Sequence, residues 1–310
     1  MSTKVLFLIL CSLIVISKIW AQPHHEEQLE KTLVEKISKL PQLFRSIRPY
    51  NKDGKPPYVE VGMHIYSITN IDSSMQHFEV DMIIRQTWED HRLNFTEQIN
   101  TNHTLTIKYE DIISKMWIPD LFVSNAKITK HQHRIDNNDL AQILRIIPGG
   151  KIEYTNRLAL EVFCDMQLHK FPADKQKCKI VVESYGDSEE NIYLGWEKKK
   201  CPVLFEGKYG SPQFNILGPC PEVSTSYVYY AERKFTALVT YVEFSRRVTS
   251  FVFTVYVPAA MIVFLSTVSF WIRPSSVPAR IALGITTVLS EATVMSAALN
   301  AYPTVSYLKA

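Results

Sequence analysis

Hydrophobic and polar positions follow three patterns along the chain. From Glu26 to Leu40, the residues Leu29, Leu33, Ile37 and Leu40 recur at helical spacing and Pro41 closes the segment, which predicts one amphipathic surface helix. From about Tyr58 to Glu243 the pattern shortens to runs of β-branched and aromatic residues broken by turn signals, among them HFEVDMIIRQTW, KIEYTNRLALEVF, QKCKIVVESY and TALVTYVEF. Such runs, with few helical stretches between them, predict a mainly β antiparallel sandwich, immunoglobulin-like, of about ten strands.

At Val248 the polar positions disappear. VTSFVFTVYVPAAMIVFLSTVSFWI runs 25 residues to Ile272 without a charge, between Arg246-Arg247 and Arg273. This predicts a transmembrane helix over 248–272, in which Pro258 is tolerable. The linker RPSSVPAR leads into IALGITTVLSEATVMSAALNA, long enough to span but carrying Gly, Thr, Ser and Glu291. Ala282, Thr286, Leu289, Thr293, Ser296 and Asn300 fall on one helical stripe. A small, hydroxylated stripe turned from lipid serves either a helix–helix contact glued by Ser and Thr or a pore-lining face with Leu289 as its bulky apolar ring. Glu291, roughly 200° around the helix from Leu289, is expected as a buried polar contact away from that stripe.

The N-terminus changes the compartment. Residues 1–21 carry an early lysine, an apolar run from Val5 to Ile16 and a small residue at Ala21, which predicts a secretory signal peptide. Its removal takes Cys11 and leaves four of the five cysteines in an oxidising compartment. Between Cys164 and Cys178 stands only one histidine, His169, too few ligands for zinc, and the gap is too long for a redox motif. A disulfide closing that loop needs neither, and Cys201 and Cys220 are left to pair with each other. Sequons at Asn94 and Asn102 suit a glycosylated luminal surface. A formal net charge of +3 without a basic block gives nucleic-acid binding no support. No nucleophile–base set or metal cluster suggests an enzyme, and no cofactor is implied.

Four motifs stand in order: RQTW at Arg85 to Trp88, WIPDLF at Trp117 to Phe122, C-x13-C holding Phe171-Pro172-x-Asp174, and PARIALGITTVLS at Pro278 to Ser290. On these the chain resembles the Cys-loop receptors, the pentameric ligand-gated ion channels, from about Leu29 to Ala310. The resemblance implies an extracellular sandwich over 22–247, a first membrane helix over 248–272, a pore-lining second helix over 278–301 and the start of a linker over 302–310. It implies a homo- or hetero-pentamer in the plasma membrane, possessing an extracellular domain that binds a small-molecule agonist between subunits, at a synapse in many relatives. Pro278-Ala279-Arg280 looks like the anion-selective pore mouth, where five Arg280 side chains and five helix N-termini make a positive ring, so chloride is the expected ion. Ala282, Thr286, Leu289 and Thr293 would then line the pore.

By the same resemblance, Phe122, Glu183, Tyr185, Tyr230 and Phe235 form the pocket on one subunit's face, and Arg85, Thr155 and Arg157 come from its neighbour. The chemistry is coherent: an aromatic cage holds an ammonium group and Arg85 holds a carboxylate, which suits a zwitterionic amino acid, with an amine as the other expectation. Several positions depart from the family pattern. Tyr66 stands where glutamate-gated relatives carry a second arginine, Ile83 replaces an aromatic, and Asp187 adds negative charge. Cys220 also falls before the ligand-capping loop instead of bridging its tip. His131 and His133 share a strand face and are a candidate zinc or proton site. The family has four membrane helices and this chain reads as two. The expectations are an incomplete channel subunit, a truncated non-conducting partner that modulates full-length subunits, or a secreted ligand sink.

Overall fold

The computed structural model describes residues 31–301 apart from 33, 42, 51–52, 95–103, 109, 131–141 and 210–212. The signal peptide, the sequon at Asn102 and the pair His131 and His133 lie outside the described residues. Asn94 is described, closing the short 3-10 turn His91–Leu93.

Strand patterning decides most of the architecture. In β2 (His77–Glu89) buried and half-buried residues alternate from end to end, as a strand with one face on a core demands. β1 (Tyr58–Asp72) pairs antiparallel with β2, and β2 with β7 (Lys151–Phe163). Around them β3 (Leu105–Ile107), β5 (Ala126–Lys130), β6 (Gln142–Ile147), β9 (Tyr193–Trp196) and β10 (Val203–Tyr209) complete an eight-stranded sheet. The second sheet orders β11 (Phe214–Tyr230), β12 (Arg233–Arg246), β8 (Lys175–Ser184) and β4 (Leu121–Val123). The described strands number twelve, more than the ten or so expected, because β3 and β4 have three residues each, too few to write an alternation.

Between the sheets lies one apolar core, including Val61, Ile65, Phe78, Met82, Trp88 and Leu144 from the larger sheet and Ile180, Val182, Leu238 and Phe244 from the smaller. The tryptophans of RQTW and WIPDLF meet in it, Trp88 edge-on to Trp117 at 5.8 Å between ring centres. Ile37, on the N-terminal helical segment, is fully buried against the same core. Links between the sheets besides packing include the Cys201–Cys220 disulfide, the Trp196 indole, which donates to the Ser224 carbonyl at 3.0 Å, and the Asn125 amide, which donates to the carbonyls of Phe163 in β7 and Lys179 in β8. The Cys164–Cys178 disulfide joins the loop before β8 to β8 itself.

That loop faces the membrane helices. Asp174 is buried, and Arg246 at the end of β12 donates to both its oxygens, from Nε at 2.7 Å and from Nη2 at 3.2 Å. The Arg246 guanidinium lies between the Phe171 and Phe214 rings, and Phe171 in turn meets Phe251 edge-on at 5.0 Å. Phe251 opens the first apolar helix, so one arginine and two aromatic contacts join the sandwich to it. A cavity of about 880 Å³ lies at this junction, lined by residues such as Asp72, His77, Arg247 and Val294.

Two helices are long and apolar enough to cross a membrane, Val252–Trp271 and Val277–Ala298. The first is not regular. Pro258 has no N–H for the preceding turn, and Val252–Tyr256 winds as a π turn in which the Val257 N–H donates to the Val252 carbonyl. On the second helix, Arg280, Leu283, Thr287, Glu291, Val294 and Ala298 form the half-buried stripe. Its spacing is that of one helix face, turned toward the first helix.

Candidate ligand-binding site and pore helix

Glu183 is the organising residue at one end of the smaller sheet. The β4–β8 register sets Phe122 opposite it. Although 3% exposed, its carboxylate has no cation paired with it among the described residues. The Ser124 hydroxyl donates to one oxygen at 2.9 Å and the Tyr230 hydroxyl to the other at 3.5 Å. The charge of Glu183, helped by burial, holds the Tyr230 hydroxyl above its ordinary pKa, so it remains a donor.

Aromatic rings surround this acid. Phe122 and Tyr185 meet edge-to-face at 5.8 Å, and Tyr230 and Phe235 at 5.7 Å. Phe235 is buried against its neighbours, whereas Tyr185 is 80% exposed. The β11–β12 hairpin adds exposed Tyr227 and Tyr229, and Lys234 sits 3.6 Å over the Tyr227 ring while pairing with Glu189 at 2.6 Å. All five residues expected on this face are therefore gathered at one sheet end.

Their backbone is held by Asp120 of WIPDLF. It accepts from the Ser184 hydroxyl at 2.5 Å and the Gly186 N–H at 2.7 Å, and its carbonyl accepts from the Tyr185 N–H. Burial chiefly, then the Asp120 charge, pushes the Asp187 carboxyl up, against Arg48 at 3.8 Å. Asp120 and Ser124 were not expected as site residues. The Asp in the motif was visible, but its partners depend on strand pairing.

The other set lies on the outer face of the larger sheet. Cross-strand pairing puts Gly62 beside Arg85 and Arg85 beside Thr155, and Ile83 beside Arg157 in the next row. Arg85, Thr155 and Arg157 thus share one face, as expected. Arg157 donates to both oxygens of Asp81, at 3.0 and 2.5 Å, and lies 5.2 Å over the Tyr66 ring, itself stacked on His64. Arg85 stands between two acids, 3.7 Å from Glu153 and 3.8 Å from Glu197, and its Nε is buried without a hydrogen-bond partner. Glu153 also pairs with Arg145 at 2.7 Å and Glu197 with Lys199 at 2.5 Å. Among the described residues no hydrogen bond, ion pair or ring contact joins this set to the aromatic one.

On the second apolar helix, Ala282, Thr286, Leu289, Thr293 and Ser296 are exposed, opposite the half-buried stripe. The hydroxyls of Thr286 and Thr293 bond back to carbonyls of their own helix, Thr286 to Ala282 at 2.9 Å and Thr293 to Ser290 at 2.7 Å. Pro278 and Ala279 are exposed, but Arg280 lies on the stripe toward the first helix, and its Nε donates to the Ser269 carbonyl at 3.1 Å. Glu291 is partly buried away from the open stripe as expected, but one oxygen, Oε2, has no hydrogen-bond partner. The expected polar contact is therefore missing at that atom.

Comparison with known proteins matches the same two regions. The neurotransmitter-gated ion-channel ligand binding domain matches residues 30–248, and the neurotransmitter-gated ion-channel transmembrane region matches residues 255–310. The gamma-aminobutyric acid receptor subunit gamma-3 of Homo sapiens is 35% identical over 256 residues, 83% of this chain and 53% of the relative. The gamma-aminobutyric acid receptor subunit theta of Mus musculus is 33% identical over 265 residues, 85% of this chain and 40% of the relative. The chain spans about half the length, or less, of these curated relatives.

Proposed function

The chain belongs to the family of neurotransmitter-gated ion channels, and from that premise we propose that it is a subunit of an anion channel opened by a small extracellular agonist bound between neighbouring subunits. The observation that carries this reading is the separation of two complementary half-sites. A buried, cation-free carboxylate ringed by aromatics stands at one end of the smaller sheet, and an arginine-bearing face lies on the larger one. Among the described residues no hydrogen bond, ion pair or ring contact joins the two sets, so in this reading the outer face of one subunit set against the sheet end of the next completes the site.

In this reading Glu183 supplies the counter-charge for an ammonium group, and Phe122, Tyr185, Tyr230 and Phe235 supply ring faces to it. Arg85, Thr155 and Arg157 bound the far side. Agonist binding at the sheet end is felt along β8 and β12, whose other ends meet the Cys164–Cys178 loop and, through Arg246 and Phe171, the first membrane helix. The pore is lined by the open stripe of the second helix, with Leu289 as its apolar constriction. Five helix N-termini at the Pro278-Ala279-Arg280 end favour chloride, and five Arg280 guanidinium groups, set behind the open stripe on the side of the first helix, add positive charge to that end. Part of that guanidinium is held by Ser269, which fixes its position at the helix end.

The test is agonist-evoked current from the full-length subunit in the assembly it forms at the cell surface. A reversal potential that follows the chloride gradient, and shifts toward the cation gradient in Arg280→Glu, supports anion conduction. If Tyr185→Ala and Arg85→Ala both leave agonist sensitivity unchanged, the intersubunit pocket is wrong.

A further inference from the structure

Resting on that intersubunit site, we propose that its carboxylate subsite is already filled from within the chain, by Glu197 at Arg85 and Asp81 at Arg157, so that the agonist is an amine without a carboxylate. An amino-acid agonist needs a guanidinium with an open fork of donors. Arg157 does not offer one: its Nε and Nη2 are both spent on the two oxygens of Asp81, the arrangement a ligand carboxylate would use.

Arg85 is answered differently but as fully in charge. Glu153 and Glu197 both lie within 4 Å of it, at 3.7 and 3.8 Å. A further carboxylate brought to Arg85 meets these two acids as well as the guanidinium, so the attraction of Arg85 for it is reduced. The outer cations, Arg145 and Lys199, already share those same acids, and their side chains are 44% and 57% exposed, where solvent and salt screen them.

The place of Glu197 is built into the sheet. Its backbone N–H donates to the Val61 carbonyl at 2.9 Å, which sets the residue beside β1. Its carboxylate then occupies the space above Gly62, where an added Cβ would come within 2.7 Å of Oε2. Gly62 is the residue paired with Arg85 across β1 and β2. The missing side chain at position 62 is thus what lets an acid of this chain reach the arginine.

The opposite half-site selects for positive charge. Among the described residues no cation pairs with the buried Glu183, and aromatic rings surround it.

Matched pairs isolate the carboxylate: tyramine against tyrosine and histamine against histidine, with GABA and glycine alongside, applied to the full-length subunit in its surface assembly. At least one of the two amines is expected to act at concentrations lower than its parent amino acid by about tenfold or more, and the amino acids to be weak. Glu197→Gln is expected to narrow that ratio by about tenfold, because the Arg85 fork opens. Gly62→Ala, which displaces the Glu197 carboxylate while keeping its charge, is expected to narrow it less. Amino acids acting as well as their amines, or a ratio unmoved in both variants, overturn the filled subsite and leave the intersubunit pocket standing. Surface-labelled channels that answer to none of these compounds overturn the pocket itself, and this inference with it.

Discussion

Asp174 and Glu183 stand at the two ends of one strand, the first just before β8 and the second near its close, and both are almost fully buried. Asp174 is answered completely: Arg246 reaches both its oxygens and Gln176 donates to it at 2.6 Å. Glu183 receives two neutral hydroxyls and, among the described residues, no cation. Burying a carboxylate without a cation is costly, and such a group is tolerated where a ligand supplies the missing charge. Under the proposed function the same strand therefore carries a structural acid at its membrane end and a ligand-receiving one at the other.

Removing a cation from a buried pair leaves a bare charge behind, so Arg246→Ala is expected to have the largest effect, about 3–5 kcal/mol of sandwich stability. Thermal unfolding of the purified protein and surface labelling would record it, and a change below about 1 kcal/mol would deny Asp174 its structural role. Glu183→Gln sharpens the contrast from the other side. It should lower agonist sensitivity about 30-fold, near 2 kcal/mol, while leaving surface expression unchanged. A variant that unfolds as readily as Arg246→Ala would erase the distinction between the two acids.

The pH dependence of unfolding separates them further. Burial raises the pKa of Asp174, but the hydrogen bonds and charge of Arg246, with Gln176, outweigh it and hold the carboxyl below its ordinary value. A depressed folded value means that the pairing contributes fully above the unfolded carboxylate pKa of about 3.9 and is lost as pH falls through the lower folded value. Asp174→Asn should thus flatten acid unfolding below about pH 4, and an unchanged acid limb would contradict the assignment. Smallest in stability is Tyr185→Ala, within about 0.5 kcal/mol because the ring is 80% exposed, although agonist sensitivity should fall about tenfold.

Strand periodicity made the sandwich legible, and β2 is its clearest case, since alternation along the whole strand leaves no other assignment. Both expected disulfides, Cys164–Cys178 and Cys201–Cys220, are present. The residue types of the site were also legible, since acids, aromatics and arginines at those positions carry their chemistry with them. Their partners were not. Asp81 is four residues from Arg85 along β2 but serves Arg157, because the β2–β7 register sets Arg157 near it. Glu197 reaches Arg85 only because β9 lies parallel to β1 and Gly62 leaves room. Such pairings run sideways between strands, where sequence distance carries no information. The π turn before Pro258 was hidden for a related reason: proline announces a missing donor, but not how the chain rearranges around it.

The Cys201–Cys220 bond gives the ligand-facing hairpin a mechanical character. It fastens β11 to the chain entering β10, at a place where the β11–β12 register breaks between Leu217 and Glu222 and Gly218 adopts φ +77. The ten residues from there to Tyr230, at about 3.3 Å each, form an arm of roughly 33 Å with an unbridged tip. Over that length β11 is paired with β12 from Glu222 to Tyr230 and held at Ser224 by the Trp196 indole, so the tyrosines at the tip are carried by a two-stranded ribbon. A ligand at the proposed site would thus meet a ribbon whose covalent anchor lies toward the membrane end and whose tyrosines lie at the end farthest from it.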